Sequence, residues 1–199
     1  MKQINWLLWI FVIFLAPAAN AQVRLGAKTG VNIATVKFNK EAVDPENITG
    51  FQIGPMLEVA TPTGWGVDVA LLYMQKGFEL NNKQIKNDYL EVPVNLKWKL
   101  MTPLVKPFVA AGPYVGFRVG GKKVWEIDQF YQDIKGQING KSFSAGLNFS
   151  AGAELLSFLQ VGLNYGWGLT DNYSTFIASH PDEYVGKAHT WSISAAILF

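Results

Sequence analysis

Two histidines, His180 and His189, are the whole imidazole complement of this 199-residue chain, and it contains no cysteine. A hydrolytic site acting on lipid would need a serine or acidic nucleophile within hydrogen-bond reach of such a base. His180 lies beside Pro181, Asp182 and Glu183, with Ser174 and Ser179 close in sequence. That composition reads as a polar surface segment. His189 and Ser192 are three residues apart in a stretch that alternates at period two, so a strand would send them to opposite faces. We therefore assign no catalytic residue. The absence of Cys removes thiolate zinc sites, no His spacing suits a metal, and the acidic residues are scattered. The glycines recur at strand period and none opens a helix, which argues against a phosphate-cradling loop. No metal and no cofactor are expected. Net charge is only +2, without a Lys/Arg cluster that would track nucleic-acid phosphates.

A second set of reactive groups is more suggestive. Arg24, Lys28, Lys76, Lys97, Lys99 and Arg118, with Glu58, Asp68, Glu91 and Glu154, all fall on the polar side of alternating segments. If that side is enclosed, unpaired charges there would be costly. Two outcomes are open: a mutually satisfied ion-pair network with trapped water that stiffens the fold, or a path for protons or ions.

The elements that must hold these charges follow from the alternation. Eight segments show it: Leu25–Val36, Thr49–Ala60, Trp65–Lys76, Asp88–Leu100, Pro107–Val119, Ser142–Leu155, Leu159–Thr170 and Ala188–Phe199. In Leu159–Thr170 the odd positions are Leu159, Val161, Leu163, Tyr165, Trp167 and Leu169, while the even ones are Gln160, Gly162, Asn164, Gly166, Gly168 and Thr170. Strands of 11–14 residues exceed the ~5–6 of soluble sheets and suit the ~9–11 that cross a bilayer at a tilt. The connections alternate in length. Those at 61–64, 101–106 and 156–158 are short, while Lys37–Ile48, Gly77–Asn87, Gly120–Lys141 and Asp171–Lys187 are long. Short turns on one rim and long loops on the other are the layout of outer-membrane barrels. Pro93 and Pro113 fall mid-strand, where a missing donor predicts local bulges.

Periodicity alone does not say which face is inside. A soluble barrel of the lipocalin kind has the same period with its apolar face inward. Three features favour apolar-out. The polar face is rich in Gly, Ser and Ala, as a narrow lumen requires. Aromatic residues gather near strand ends on the apolar face (Trp65, Tyr73, Trp98, Phe117, Trp167, Trp191), as in an interfacial girdle. The chain also ends on that face, at Phe199. The N-terminus adds Lys2, an apolar run Trp6–Ala16, Pro17 and an Ala19-Asn20-Ala21 triplet. These read as a cleaved signal peptide, residues 1–21, ahead of a barrel domain at 22–199. A retained membrane anchor is the alternative, and the run is short for one.

The mature segment resembles the PorT-type outer-membrane β-barrel family, small OmpX/OmpA-like eight-stranded barrels. The resemblance is carried by Gly26-Ala27-Lys28-Thr29-Gly30-Val31-Asn32-Ile33, Leu71-Leu72-Tyr73-Met74-Gln75-Lys76-Gly77, Asp88-Tyr89-Leu90-Glu91-Val92-Pro93-Val94-Asn95-Leu96-Lys97, Pro107-Phe108-Val109-Ala110-Ala111-Gly112-Pro113-Tyr114 and Asn164-Tyr165-Gly166-Trp167-Gly168-Leu169. It implies an all-β, closed, eight-stranded antiparallel up-and-down transmembrane barrel in the bacterial outer membrane. It brings no catalytic motif. Its namesakes are linked to protein secretion across that membrane.

The expected function is non-enzymatic, structural or surface-interacting. A part in a secretion or transport assembly is the alternative, and a narrow pore or a lipid-modifying barrel enzyme is a further one. The expected partners are outer-membrane lipid and proteins reached through loops 120–141 and 171–187, which carry Lys122, Lys123, Trp125, Phe130 and Tyr131, and Tyr173, Phe176 and Tyr184.

Overall fold

The alternation is realised as strands that close into a tube. A computed structural model describes residues 21–38, 46–80, 83–121, 124–131, 134–140, 142–177 and 180–199. The expected signal segment therefore lies outside the described residues, except for Ala21. The strands are β1 (Gln22–Phe38), β2 (Glu46–Ala60), β3 (Trp65–Ala70), β4 (Leu72–Leu80), β5 (Lys83–Lys99), β6 (Val105–Gly121), β7 (Val124–Tyr131), β8 (Ile134–Gly140), β9 (Phe143–Leu155), β10 (Leu159–Ile177) and β11 (His180–Leu198). Each pairs antiparallel with its neighbour, and β11 pairs with both β10 and β1, which closes the ring. Because β3 and β4 continue one line, the wall has eight strands. Closure leaves the wall no free edge, which hydrocarbon requires because it cannot satisfy a bare N–H or C=O.

Burial decides which face is in. Leu25 and Ile193 are each 65 % exposed, while Asn32 and Glu58 are fully enclosed. The apolar side points outward around the circumference, as expected. Among the described residues no helix is long and apolar enough to cross a membrane, so the strands are the spanning elements.

Three expectations are corrected. The first concerns Pro93 and Pro113, which make no bulge. Pro93 faces Tyr114 and Leu96 faces Ala111 in one register, and Pro113 faces Leu147 in an unbroken β6–β9 ladder. A residue in an antiparallel sheet directs its N–H at only one neighbour, so proline deletes a rung without shifting the frame. Pro55 has the same effect beside Leu71. Leu71 N–H still donates to Pro55 O at 3.0 Å, but proline returns no donor, and the β3/β4 strand is interrupted there with its register intact. The shift in β5–β6 lies elsewhere, between Asp88 and Tyr89.

The second concerns the long connections, whose backbone is largely strand. β4 and β5 pair as far as Leu80 and Lys83, and β10 and β11 as far as Ile177 and His180. Within 120–141, β7 and β8 form a hairpin, and β8 continues the wall by pairing with the upper part of β10. The wall strands other than β9 are thus longer than 11–14 residues, reaching 19 in β10 and β11, while β9 keeps 13.

The third concerns the interior, which is not polar throughout. Met56, Ala70, Leu72, Met74, Ala196 and Leu198 form a buried apolar cluster against β2, β3/β4 and β11.

Inward glycines make room for two inward rings. A Cβ on Gly146 would stand 2.6 Å from the Tyr114 ring, and one on Gly152 would stand 2.8 Å from the Phe108 ring. The turn between β9 and β10 is built differently: Leu156 and Ser157 both adopt positive φ, 52° and 64°. Within this three-residue connection, two successive left-handed positions are ones that glycine and asparagine usually occupy.

Candidate functional site

The inward charges assemble in tiers. Strand parity turns Arg24 of β1, Glu58 of β2, Asp68 of β3, Lys97 and Lys99 of β5 and Glu154 of β9 inward, and the strand registers bring them to the same end of the tube, near the short turns. Glu58 pairs with Arg24, with Lys99 at 2.5 Å and with Lys97 at 2.9 Å. Glu154 pairs with Arg24 at 2.5 Å and with Lys99 at 2.6 Å. Lys97 also reaches Asp68 at 2.7 Å, and Asn95 donates to the other oxygen of Asp68 at 2.8 Å. Gln160 donates to both Glu58 and Glu154 at 2.9 Å. Arg24 donates to the carbonyl of Ser157 at 2.7 Å, which ties the strained turn to the plug. Every buried charge here except Asp68 has at least two partners of opposite sign, and Asp68 has Lys97 and the Asn95 amide, the condition under which burial of charge is tolerated.

The far tier is smaller. Lys76 meets Glu91 at 2.6 Å, and its ammonium sits 4.7 Å from the centre of the Tyr114 ring. Between the tiers lies Lys28. Its ammonium donates to Asn164 Oδ1 at 3.2 Å, and that same oxygen accepts from Ser150 at 2.9 Å. Cavities of about 20 and 30 Å³ flank Lys28 on the two sides. Each is large enough for one or two waters. Asn95 Oδ1 and Thr190 Oγ1, which line the larger space, have no protein partner, so water suits them. Arg118 is half-buried, opposite Tyr89 at the upper end of β6.

All ten charges singled out from the sequence therefore lie in or at the mouth of the lumen. The sequence reading placed Gln160, Asn95 and Asn164 on the polar side without giving them a role as neutral bridges, and it left out Lys106, which joins Glu154 at 3.5 Å. Parity would have supplied that role, since each occupies an inward position next to a charge. It would also have found Phe108, whose ring lies 4.7 Å from the Lys97 ammonium.

The two histidines do not meet a nucleophile among the described contacts. His189 stands on the outer wall, where the Tyr165 hydroxyl and its Nδ1 lie 3.0 Å apart and the Trp191 ring packs tilted against Tyr165, 4.7 Å between centres. Ser192 faces the lumen and accepts from Gln52 at 3.3 Å. His180 and Ser174 are placed by backbone alone, in β11 and β10, and Ser179 lies outside the described residues. Among the described residues no group of three or more potential metal ligands converges. In the expected partner loops 120–141 and 171–187, the side chains of 122–141 and 171–186 also lie outside the described ones.

Residues 18–174 match the model of a family described as outer membrane protein beta-barrel domain. No curated protein matches the chain. Among solved structures, the outer membrane protein OprG from Pseudomonas aeruginosa is similar at 11 % identity and a TM-score of 0.51, over 90 % of this chain and 95 % of that one. Neisserial surface protein A (NspA) aligns at 12 % identity and a TM-score of 0.48, over 90 % and 99 %. The attachment invasion locus protein Ail of Yersinia pestis aligns at 15 % identity and 0.48, over 89 % and 99 %.

Proposed function

From the premise that this chain belongs to the outer membrane protein beta-barrel domain family and resides in the bacterial outer membrane, we propose that it is a non-enzymatic surface-interaction barrel whose binding element is the sheet standing above the membrane. One observation supports this most directly. Beyond the spanning wall, β8 pairs with β10 on one side and with β7 on the other, while β7 has β8 as its one strand neighbour among the described residues. A strand with one unpaired edge is a template for an extended segment of another protein, with main-chain hydrogen bonds supplying the affinity. The plug supports a wall-and-platform role, since a filled and cross-braced lumen gives that sheet a rigid base.

Deleting residues 122–141 tests the reading. The barrel is expected to keep its heat-modifiable mobility and its insertion, while crosslinks from intact cells to envelope or extracellular proteins are lost. Retention of every crosslink would refute it.

A second reading, a PorT-type component of a secretion assembly, is favoured by the Asp88–Lys97 block, whose Glu91, Asn95 and Lys97 build the lumen. It requires stable partners in the outer membrane itself, and co-purification after mild extraction separates the two. Both readings carry the same N-terminal expectation: removal of residues 1–21, so that intact-mass measurement finds a chain beginning at Gln22.

A further inference from the structure

The outer wall carries a groove of about 570 Å³ that no function discussed so far uses. Two adjacent cross-strand rows form it. One runs from Trp65 of β3 through Trp98, Val109 and Ala151 to Leu163, and the next runs from Val67 through Leu96, Ala111 and Phe149 to Tyr165 and Trp191. The floor is low where Ala111 of β6 and Ala151 of β9 stand diagonally across the strand pair, opposite Phe149 and Val109. The ends are high, with Trp65 and Trp98 at one and Tyr165 and Trp191 at the other. Strands in a barrel tilt by ~35–45°, so a row along the hydrogen-bond direction climbs the wall. Trp65 follows the short turn at 61–64 and Trp98 precedes the one at 100–106, which puts the low end at the periplasmic rim. Trp191 is seven residues from the end of β11, well up the belt.

We propose that this groove is a binding site for one acyl chain of a phospholipid from the periplasmic leaflet. The chain enters between Trp65 and Trp98 and lies over Ala111 and Ala151 up to Tyr165. The lining is apolar apart from two hydroxyls, and both are already engaged, that of Ser150 with Asn164 and that of Tyr165 with His189. The groove opens onto hydrocarbon, so its occupant is not water. A second copy of the chain fits poorly. A two-fold contact would set groove against groove and double the void, and packing a convex face into it would be head-to-tail and would not close. A lipid chain fills it without either penalty and gains dispersion contact on three sides rather than one. The bulky ends hinder sliding along the groove, which separates a held chain from the fluid lipid around the rest of the belt.

The test uses barrel extracted from outer membranes, stripped stepwise with detergent, and titrated with palmitoyl-oleoyl phosphatidylethanolamine under native mass spectrometry. Wild type is expected to retain one phospholipid after the remainder has gone. Ala151→Phe, which fills the floor, is expected to lower that retention by about tenfold or more, and Ala27→Phe, the same enlargement on the outward face of β1 on the opposite wall, to leave it unchanged. Folding of each variant is checked by heat-modifiable mobility. Should Ala151→Phe not fold, bromination at mid-chain of the same lipid supplies the second readout in wild type: quenching of tryptophan emission that persists at lipid levels too low to cover the belt. No retained lipid in wild type, equal retention in both variants, or a dimer that Ala151→Phe dissociates would each overturn the proposal.

Discussion

The lower and middle tiers of the lumen enclose the same kinds of side chain and treat them oppositely. Near the short turns, Glu58 and Glu154 are shared among Arg24, Lys97, Lys99 and Gln160, and no oxygen of either carboxylate is left alone. One tier higher, Lys28 faces a single amide oxygen and two small cavities. The difference lies in coordination rather than burial. A closed tube tolerates charge where several strands deliver opposite signs to one height. Where they do not, it leaves space for water.

Substitutions sharpen this contrast, and the largest effect belongs to the lower tier. Glu58→Ala takes a shared carboxylate from three buried cations, leaving them only Glu154 and Asp68, and is expected to cost about 3–5 kcal/mol of stability, the range for breaking a buried ion pair; urea titration of the refolded barrel in micelles reads it. In the upper tier, Lys76→Met leaves Glu91 alone beside Tyr114 and is expected to cost about 1–3 kcal/mol. Adding Glu91→Leu to that variant should restore most of the loss, because an apolar pair of similar volume replaces a buried ionic one with little penalty. Lys28→Met should change stability by less than about 1 kcal/mol in the same assay. A loss as large as that of Glu58→Ala would mean the middle tier is as tightly coordinated as the lower one. The smallest effect has the opposite sign. Leu156→Gly relieves a positive φ in the β9–β10 turn and should add about 1 kcal/mol, seen as a higher urea midpoint.

Much of this was legible in the sequence, because a strand has one rule for sidedness and a barrel applies it eight times. Arg24, Glu58, Lys97, Lys99 and Glu154 could each be placed inward from parity alone. That they converge at one height could not, since height depends on the stagger between strands, and stagger is set by ladders no single strand encodes. Pro93 and Pro113 misled for a related reason. A proline reports a lost donor, but whether the frame shifts depends on the two neighbours holding it, and in a closed wall they hold it firmly. The lengths of β10 and β11 were hidden because alternation weakens once a strand leaves lipid and both faces meet water. The apolar cluster of Met56, Leu72, Met74 and Leu198 sits on inward positions that parity identifies, yet the neighbouring charges suggested a polar interior throughout.

Arg24 has a consequence for how the molecule comes together. Its carboxylate partners lie 34 and 130 residues further along the chain, so the knot they tie cannot exist while the first and last strands are apart. An open sheet would leave those ions in contact with water, and joining β1 to β11 dries and locks them in one event. The wall is therefore bolted from within only at the final step of assembly, and a tear at any seam would wet the whole knot. Resistance to unfolding belongs to the complete ring and not to any arc of it.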